Sequence, residues 1–135
     1  MQFYEYIFLS ELAPEVLPSE IGRLVRVSRA NNAAQALTGV LMFDGERFCQ
    51  QLEGPETSVR QTVAKIEVDP RHRGFQLLHT GVVGASRRFD NWHVGILAPD
   101  GPSPLHAFRS VRGIAAVDLL VSIFTQSDKF GLHVL

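Results

Sequence analysis

The residue of this sequence best suited to do chemistry from inside a core is Gln50, which lies in the largely apolar run Phe-Cys-Gln-Gln-Leu at residues 48–52. A glutamine amide carries two hydrogen-bond donors and one acceptor oxygen. A buried amide without partners costs the folded state about 1 to 3 kcal/mol. Gln50 therefore predicts a polar partner in the core, unless its side chain points to solvent or bonds neighbouring backbone.

The elements that must hold Gln50 follow from alternation, helical spacing and turn residues. Pro14 and Pro18 end a first strand, and Ser19 can cap the helix that follows. The pair Asp44-Gly45 favours a tight hairpin. The pattern predicts strands over residues 2–9, 37–43, 47–53, 75–83 and 91–97, a helix over 19–34, and a second helix opened by residues 54–56.

A strand, a helix and a strand, repeated with a hairpin between the halves, form the ferredoxin-like arrangement. The sequence thus predicts an α+β fold of order βαββαββ, with a mixed five-stranded sheet and two helices on one face. Apolar residues recur at helical spacing over 104–124, which predicts C-terminal helices on the other face, broken at Gly113. Residues 98–104 read as a stiff connector. The apolar tail, residues 130–135, either docks within the domain or forms a patch for self-association or partner binding.

Length and composition limit the function further. A chain of 135 residues suits one domain, and a formal net charge of −1 offers no broad basic field for nucleic acid or an acidic membrane. The single cysteine, Cys49, excludes an internal disulfide and fits a reducing compartment. There is neither a signal-peptide pattern nor an apolar run of roughly 20 residues. We expect a cytoplasmic protein without a membrane anchor, a zinc site or a nucleic-acid partner.

Four segments occur in the order and spacing of one known family, and they are residues 28–41, 48–54, 69–72 and 87–93. Over residues 3–97 the sequence resembles the BLUF family of blue-light sensors that use FAD. The resemblance implies FAD, or another flavin, bound between the two helices. It also implies a light-driven change in the hydrogen bonds around Gln50. It divides the chain into a flavin-binding core at 1–97 and a helical extension at 98–135.

The resemblance assigns roles to several polar residues. Asn32 would pair with the polar edge of the flavin, since one amide group offers both a donor and an acceptor. Without the family motif, Asn32 reads equally as a residue at a helix C-terminus. Arg71 would reach a flavin carbonyl and His72 would pack on the ring, although both also suit a solvated basic turn. Arg29 would approach the FAD phosphates or remain a solvated charge.

The sequence departs from the family at two positions. The family carries a tyrosine two residues before the serine that corresponds to Ser10, and this chain has Phe8 there. Phenylalanine has no hydroxyl group, so it can neither bond the Gln50 amide nor release a proton with an electron. Trp92 matches a tryptophan of the family switch, but Val94 replaces the methionine that exchanges places with it. We therefore expect FAD binding with an impaired photocycle.

Three classes of function follow from these residues. The first is a photoreceptor module, not an enzyme, that signals to a separate effector protein and is expected to form homo-oligomers. The second is a light-insensitive flavin-binding or protein-interaction module, which Phe8 and Val94 favour. The third is an acylphosphatase-like hydrolase on the same fold. That enzyme needs a phosphate-binding loop with arginine after the first strand, where this chain has the acidic segment 10–14.

Overall fold

The computed structural model describes residues 2–17, 19–98 and 101–135. Six strands, four α-helices and one 3-10 helix are found in these ranges. In chain order they are β1 (Phe3–Leu12), α1 (Ser19–Ala34), β2 (Thr38–Phe43), β3 (Arg47–Gly54), α2 (Glu56–Glu67), β4 (His72–Gly84), β5 (Trp92–Leu97), the 3-10 helix (Pro104–Ser110), α3 (Ile114–Thr125), α4 (Ser127–Phe130) and β6 (Leu132–Val134).

The strands form one mixed sheet in the order β4-β1-β3-β2-β5-β6. Strands β2 and β5 run parallel, and the other neighbours are antiparallel. The predicted α+β class and the βαββαββ order of the first seven elements are confirmed. The predicted count of five strands is wrong. The apolar tail adds β6, which pairs with β5 and buries Leu132 against Gly95, where a side chain would leave no room.

Each face of the sheet carries its own apolar core. Helices α1 and α2 cover one face, where the buried residues include Leu41, Phe48, Leu52, Val59 and Val63. The 3-10 helix and α3 cover the other face, as predicted. The buried residues of that second core include Ile7, Leu9, Met42, Cys49, Phe108, Leu120 and Ile123. The sheet therefore separates the side chains of consecutive strand residues into two different environments.

Several boundaries differ from the prediction. Strand β4 begins at His72 instead of residue 75, because Leu12 pairs with His72 and the Ala13 N–H bonds the Arg71 carbonyl. The first half of the C-terminal segment is a 3-10 helix, while the break at Gly113 is found as predicted. Pro18 and two residues of the predicted connector, Pro99 and Asp100, lie outside the described residues. Within the described ranges, no helix is long and apolar enough to cross a bilayer.

Gly39 of β2 is required by both its backbone conformation and its surroundings. Its φ is 140°, and a Cβ there would lie 2.0 Å from the backbone oxygen of Gln51. We expect Gly39→Ala to lower the free energy of unfolding by about 3 kcal/mol, measured by urea denaturation. The control is Gly45→Ala in the hairpin turn, where φ is 98° and a Cβ meets nothing. Its backbone strain alone costs about 1 kcal/mol, and equal losses for both variants would contradict the packing argument.

Candidate functional site

A cavity of ≈ 270 Å³ opens between α1, α2 and the sheet. This is close to the lower end of the roughly 300–1,000 Å³ typical of small-molecule sites. Side chains from β1, β2 and β3 form its floor, and side chains from both helices form its walls. The predicted site residues that line it are Phe8, Ser10, Asn32, Gln50, Arg71 and His72. Of the predicted residues, Arg29 and Trp92 do not line it.

Gln50 lies on the cavity floor. In the sheet it is paired with Phe8 of β1 and Leu41 of β2. Its Oε1 accepts a hydrogen bond of 3.2 Å from Trp92 Nε1, so Trp92 belongs to the site although it does not line the cavity. An indole N–H can only donate, which fixes the amide oxygen towards Trp92. Among the described residues, no acceptor bonds the Gln50 Nε2.

Two further polar groups that line the cavity are short of partners. Ser10 is 1% exposed, and no described residue bonds its Oγ. Asn32, in the last turn of α1, is the one buried residue of that helix, and its Oδ1 receives a long contact of 3.5 Å from Asn31 Nδ2. Buried polar groups nearly always have partners. Together with Gln50 they fit a ligand whose edge carries both donors and acceptors, as a flavin does.

Phe8 faces Gln50 with a hydrocarbon ring. The ring stacks on Phe75 with centroids 4.8 Å apart, and Phe75 in turn lies 6.4 Å from the ring of Tyr6. Tyr6 does not line the cavity. Burial, and then the charge of Glu67, raise the pKa of the Tyr6 hydroxyl, so this phenol stays protonated at neutral pH. Among the β1 residues that line the cavity, Ser10 alone carries a hydroxyl group, and an aliphatic alcohol is a poor electron donor.

Arg71 and His72 lie where α2 passes into β4, at the mouth of the cavity. The Arg71 guanidinium bonds Asp69, with 3.0 Å from Nε to each carboxylate oxygen. This hydrogen bond holds the pKa of Asp69 below its usual value and raises that of Arg71. The His72 ring contacts the Ile66 carbonyl through Nε2. Both side chains line the cavity, and the Arg71 guanidinium is already paired with the Asp69 carboxylate.

The Asp69–Arg71 pair predicts a pH dependence of stability. A carboxyl group with a lower pKa in the folded protein stabilises the fold above its unfolded pKa of about 3.9, and this contribution is lost as pH falls. We expect Asp69→Asn to lower the urea midpoint at pH 7 and to lower it less at pH 2. Asp128→Asn, in an exposed position of α4, is the control. An equal loss at both pH values would contradict a charge-based contribution.

The structure places Arg29 away from the cavity and brings Lys65 to it. The Arg29 guanidinium lies 5.6 Å from the centre of the Trp92 ring. Lys65 and Thr62, both on α2, line the cavity and were missed by the sequence analysis. Thr62 is buried and Lys65 is exposed at the mouth. Thr62 precedes Ile66 by four residues and Lys65 precedes Asp69 by four, and this helical spacing is the pattern that could have revealed them.

The fold and the cavity together define a small-ligand-binding α+β domain. The sequence profile of the family described as BLUF, sensors of blue-light using FAD, matches residues 3–95, and the chain belongs to this family. Two predictions are thereby confirmed, the family and its flavin cofactor.

The chain is also similar to individual proteins. The blue light- and temperature-regulated antirepressor BluF of Escherichia coli is 35% identical over 66 residues, which are 49% of this chain and 16% of that protein. A structure of Klebsiella pneumoniae BlrP1 with FMN and cyclic diGMP shows 32% identity and a TM-score of 0.63, covering 71% of this chain and 26% of that one. The dark-state structure of BlrB, a BLUF protein, shows 26% identity and a TM-score of 0.65, covering 72% and 73%. This chain spans 16% or less of its curated relatives.

Proposed function

We propose that this protein binds FAD in the cavity under α1 and α2, and that Phe8 impairs its response to light. The observation that carries the proposal is the environment of Gln50, which bonds Trp92 on one side and faces the hydrocarbon ring of Phe8 on the other. When bound, the flavin supplies the light absorption and the oxidising power of its excited state. The protein supplies placement and hydrogen bonds.

Each residue of the site has a proposed role towards the flavin. Asn32 and the Gln50 Nε2 pair with its polar edge, because both amides are buried and short of partners. Arg71 reaches a carbonyl once it is released from Asp69, and His72 covers the ring. Lys65, exposed at the mouth, is better placed than Arg29 to meet a phosphate.

The impairment follows from the hydrogen-bonding groups around Gln50. A tyrosine at position 8 can donate or accept, and so it can support two orientations of the amide. Phe8 offers neither function. Trp92 Nε1 only donates, so rotating the amide would set its NH₂ group against another donor. A buried donor without an acceptor costs about 1 to 3 kcal/mol, which favours one orientation in darkness and in light.

The output of the module is a contact with another protein. We propose a sensory role, not an enzymatic one, with residues 98–135 acting as an extension of the flavin-binding core. Self-association and a cytoplasmic location remain part of this proposal, the latter consistent with a single reduced cysteine. The alternative is a flavin-binding interaction module without any light response, which the fixed Gln50 amide favours.

The test is the absorption spectrum of the purified protein with FAD, recorded in darkness and under blue light. A structured flavin spectrum that does not shift supports a flavin binder made light-blind by Phe8. A reversible red shift would contradict the impairment and make Tyr6 and Trp92 the donors to test. A protein that stays colourless after FAD is added would contradict the flavin site itself.

A further inference from the structure

A second cluster of buried polar side chains lies on the sheet face opposite the cavity. Gln50 and Gln51 are consecutive in β3, so their side chains point to opposite faces. Gln51, Glu5 and Glu53 are all fully buried. The Gln51 Nε2 donates to Glu5 Oε1 and to Glu53 Oε1, each at 3.1 Å, and within the described residues its Oε1 has no partner. The flavin-binding proposal uses none of these three side chains.

Most of the other donors to the two carboxylates come from the connection between β4 and β5. Arg88 Nε and Nη2 donate to the two oxygens of Glu5, both at 2.9 Å. The backbone N–H groups of Arg88 and Phe89 donate to Glu53 at 2.9 and 2.8 Å. Thr38 Oγ1 completes the shell of Glu53 at 2.8 Å. The bond to Glu5 raises the pKa of Arg88. The carboxylates therefore fix the path of this connection.

The same connection leads directly into Trp92. Asn91 Oδ1 accepts from the Trp92 backbone N–H at 2.8 Å, and the Asn91 carbonyl accepts from the Gly39 N–H at 3.0 Å. Trp92 then crosses to the cavity side and donates to Gln50. Residues 88–92 are thus one continuous segment. Carboxylates on one face of the sheet hold its start, and the Trp92 indole at its end lies on the other face.

We propose that Glu5, Gln51, Glu53 and Arg88 form a carboxylate network that positions Trp92 against Gln50 from the opposite face of the sheet. Buried charges are tolerated only where donors surround them, so this arrangement admits one geometry of the connection. A connection that only had to join β4 to β5 would need no bonds to buried carboxylates. The importance of the network for light sensing rests on the proposed function, whereas its effect on Trp92 does not.

The test is Arg88→Met, read out by the fluorescence of Trp92, the single tryptophan of the chain. Met keeps much of the apolar stem and removes both bonds to Glu5. In flavin-free protein we expect the emission maximum to shift to the red, because the indole leaves its buried position and meets water. With FAD bound, we expect the flavin absorption bands to shift as well. FAD affinity should change little, since Arg88 does not line the cavity.

Two variants separate positioning from a general loss of stability. Arg112→Met removes an arginine that bonds only backbone carbonyls among its described contacts, and it should leave the emission unchanged. In Arg88→Met the Glu5 carboxylate keeps only Gln51 Nε2 at 3.1 Å and His79 Nε2 at 3.3 Å as partners, and the double variant Glu5→Gln with Arg88→Met also removes this buried charge. It should regain much of the stability lost in Arg88→Met while the emission stays shifted.

Two results would overturn the positioning role. One is an unchanged Trp92 emission in a folded but destabilised Arg88→Met. The other is a double variant that restores the emission together with the stability. If the unmodified protein did not bind FAD, the proposed function would fail. The Trp92 emission of the flavin-free variants would still show whether the carboxylate network positions Trp92.

Discussion

Phe8→Tyr is expected to give the protein a reversible red shift of its flavin absorption under blue light, a shift that we do not expect from the unmodified chain. The new hydroxyl would face Gln50 across β1 and β3, where the two residues are paired. It can donate to or accept from the amide, and it can release a proton with an electron. Both orientations of Gln50 then have a partner. The measurement is a difference spectrum between illuminated and dark protein, followed through its recovery in darkness.

The matched control for this gain of function is Phe75→Tyr. Phe75 stacks on Phe8 but is not paired with Gln50 in the sheet, so a tyrosine there adds a phenol near the site without restoring the bond to the amide. We expect no reversible shift from it. Phe8→Tyr that binds flavin and fails to shift would refute the assignment of Phe8 as the cause of impairment.

Asn32→Leu is expected to weaken flavin binding about 10- to 100-fold, which corresponds to about 1.4 to 2.8 kcal/mol. Leucine has a similar size but offers neither donor nor acceptor, so the polar edge of the flavin would be buried without its partner. Titration of flavin-free protein with FAD, followed by flavin fluorescence, measures the affinity. Thermal unfolding of the flavin-free variant checks that the fold persists.

Asn31→Ala is the matched control, one residue earlier on α1. Asn31 also lines the cavity, but its side chain is only half-buried, so water can replace its bonds, and its contact with Asn32 is long, at 3.5 Å. We expect its FAD affinity to stay close to that of the unmodified protein. Equal losses for the two variants would refute the specific role of Asn32 and point instead to a general effect on the end of the helix.

Local patterns were enough to predict most of the fold. Proline, the Asp44-Gly45 turn and apolar periodicity placed five strands and the first two helices, because these features act within a few residues. Strand β6 was missed, since three residues carry too little periodicity and their pairing depends on the open edge of β5. The early start of β4 was missed for a similar reason, as it depends on the partner strand β1.

The sequence predicted the site residues only on the cavity side of the sheet, where they match the family pattern. Asn32, Gln50 and His72 were named from motif spacing, and the structure brings them to one cavity. The carboxylate network was not foreseen. Glu5 in a first strand reads as a solvent-facing residue, and its burial depends on Arg88, which lies 83 positions away in the chain. Sequence spacing contains no information on such a pair.

The position of Cys49 makes its thiol a chemical probe for local opening of the domain. The thiol is fully buried between Leu9 and Met42 on the face covered by α3, and burial raises its pKa. A thiol reagent reacts with the thiolate and needs access, so labelling requires that the C-terminal layer or the whole domain opens first. Labelling that is faster than global unfolding would show that this layer separates from the sheet on its own. The rate of a single chemical reaction therefore measures how tightly the helical extension is held.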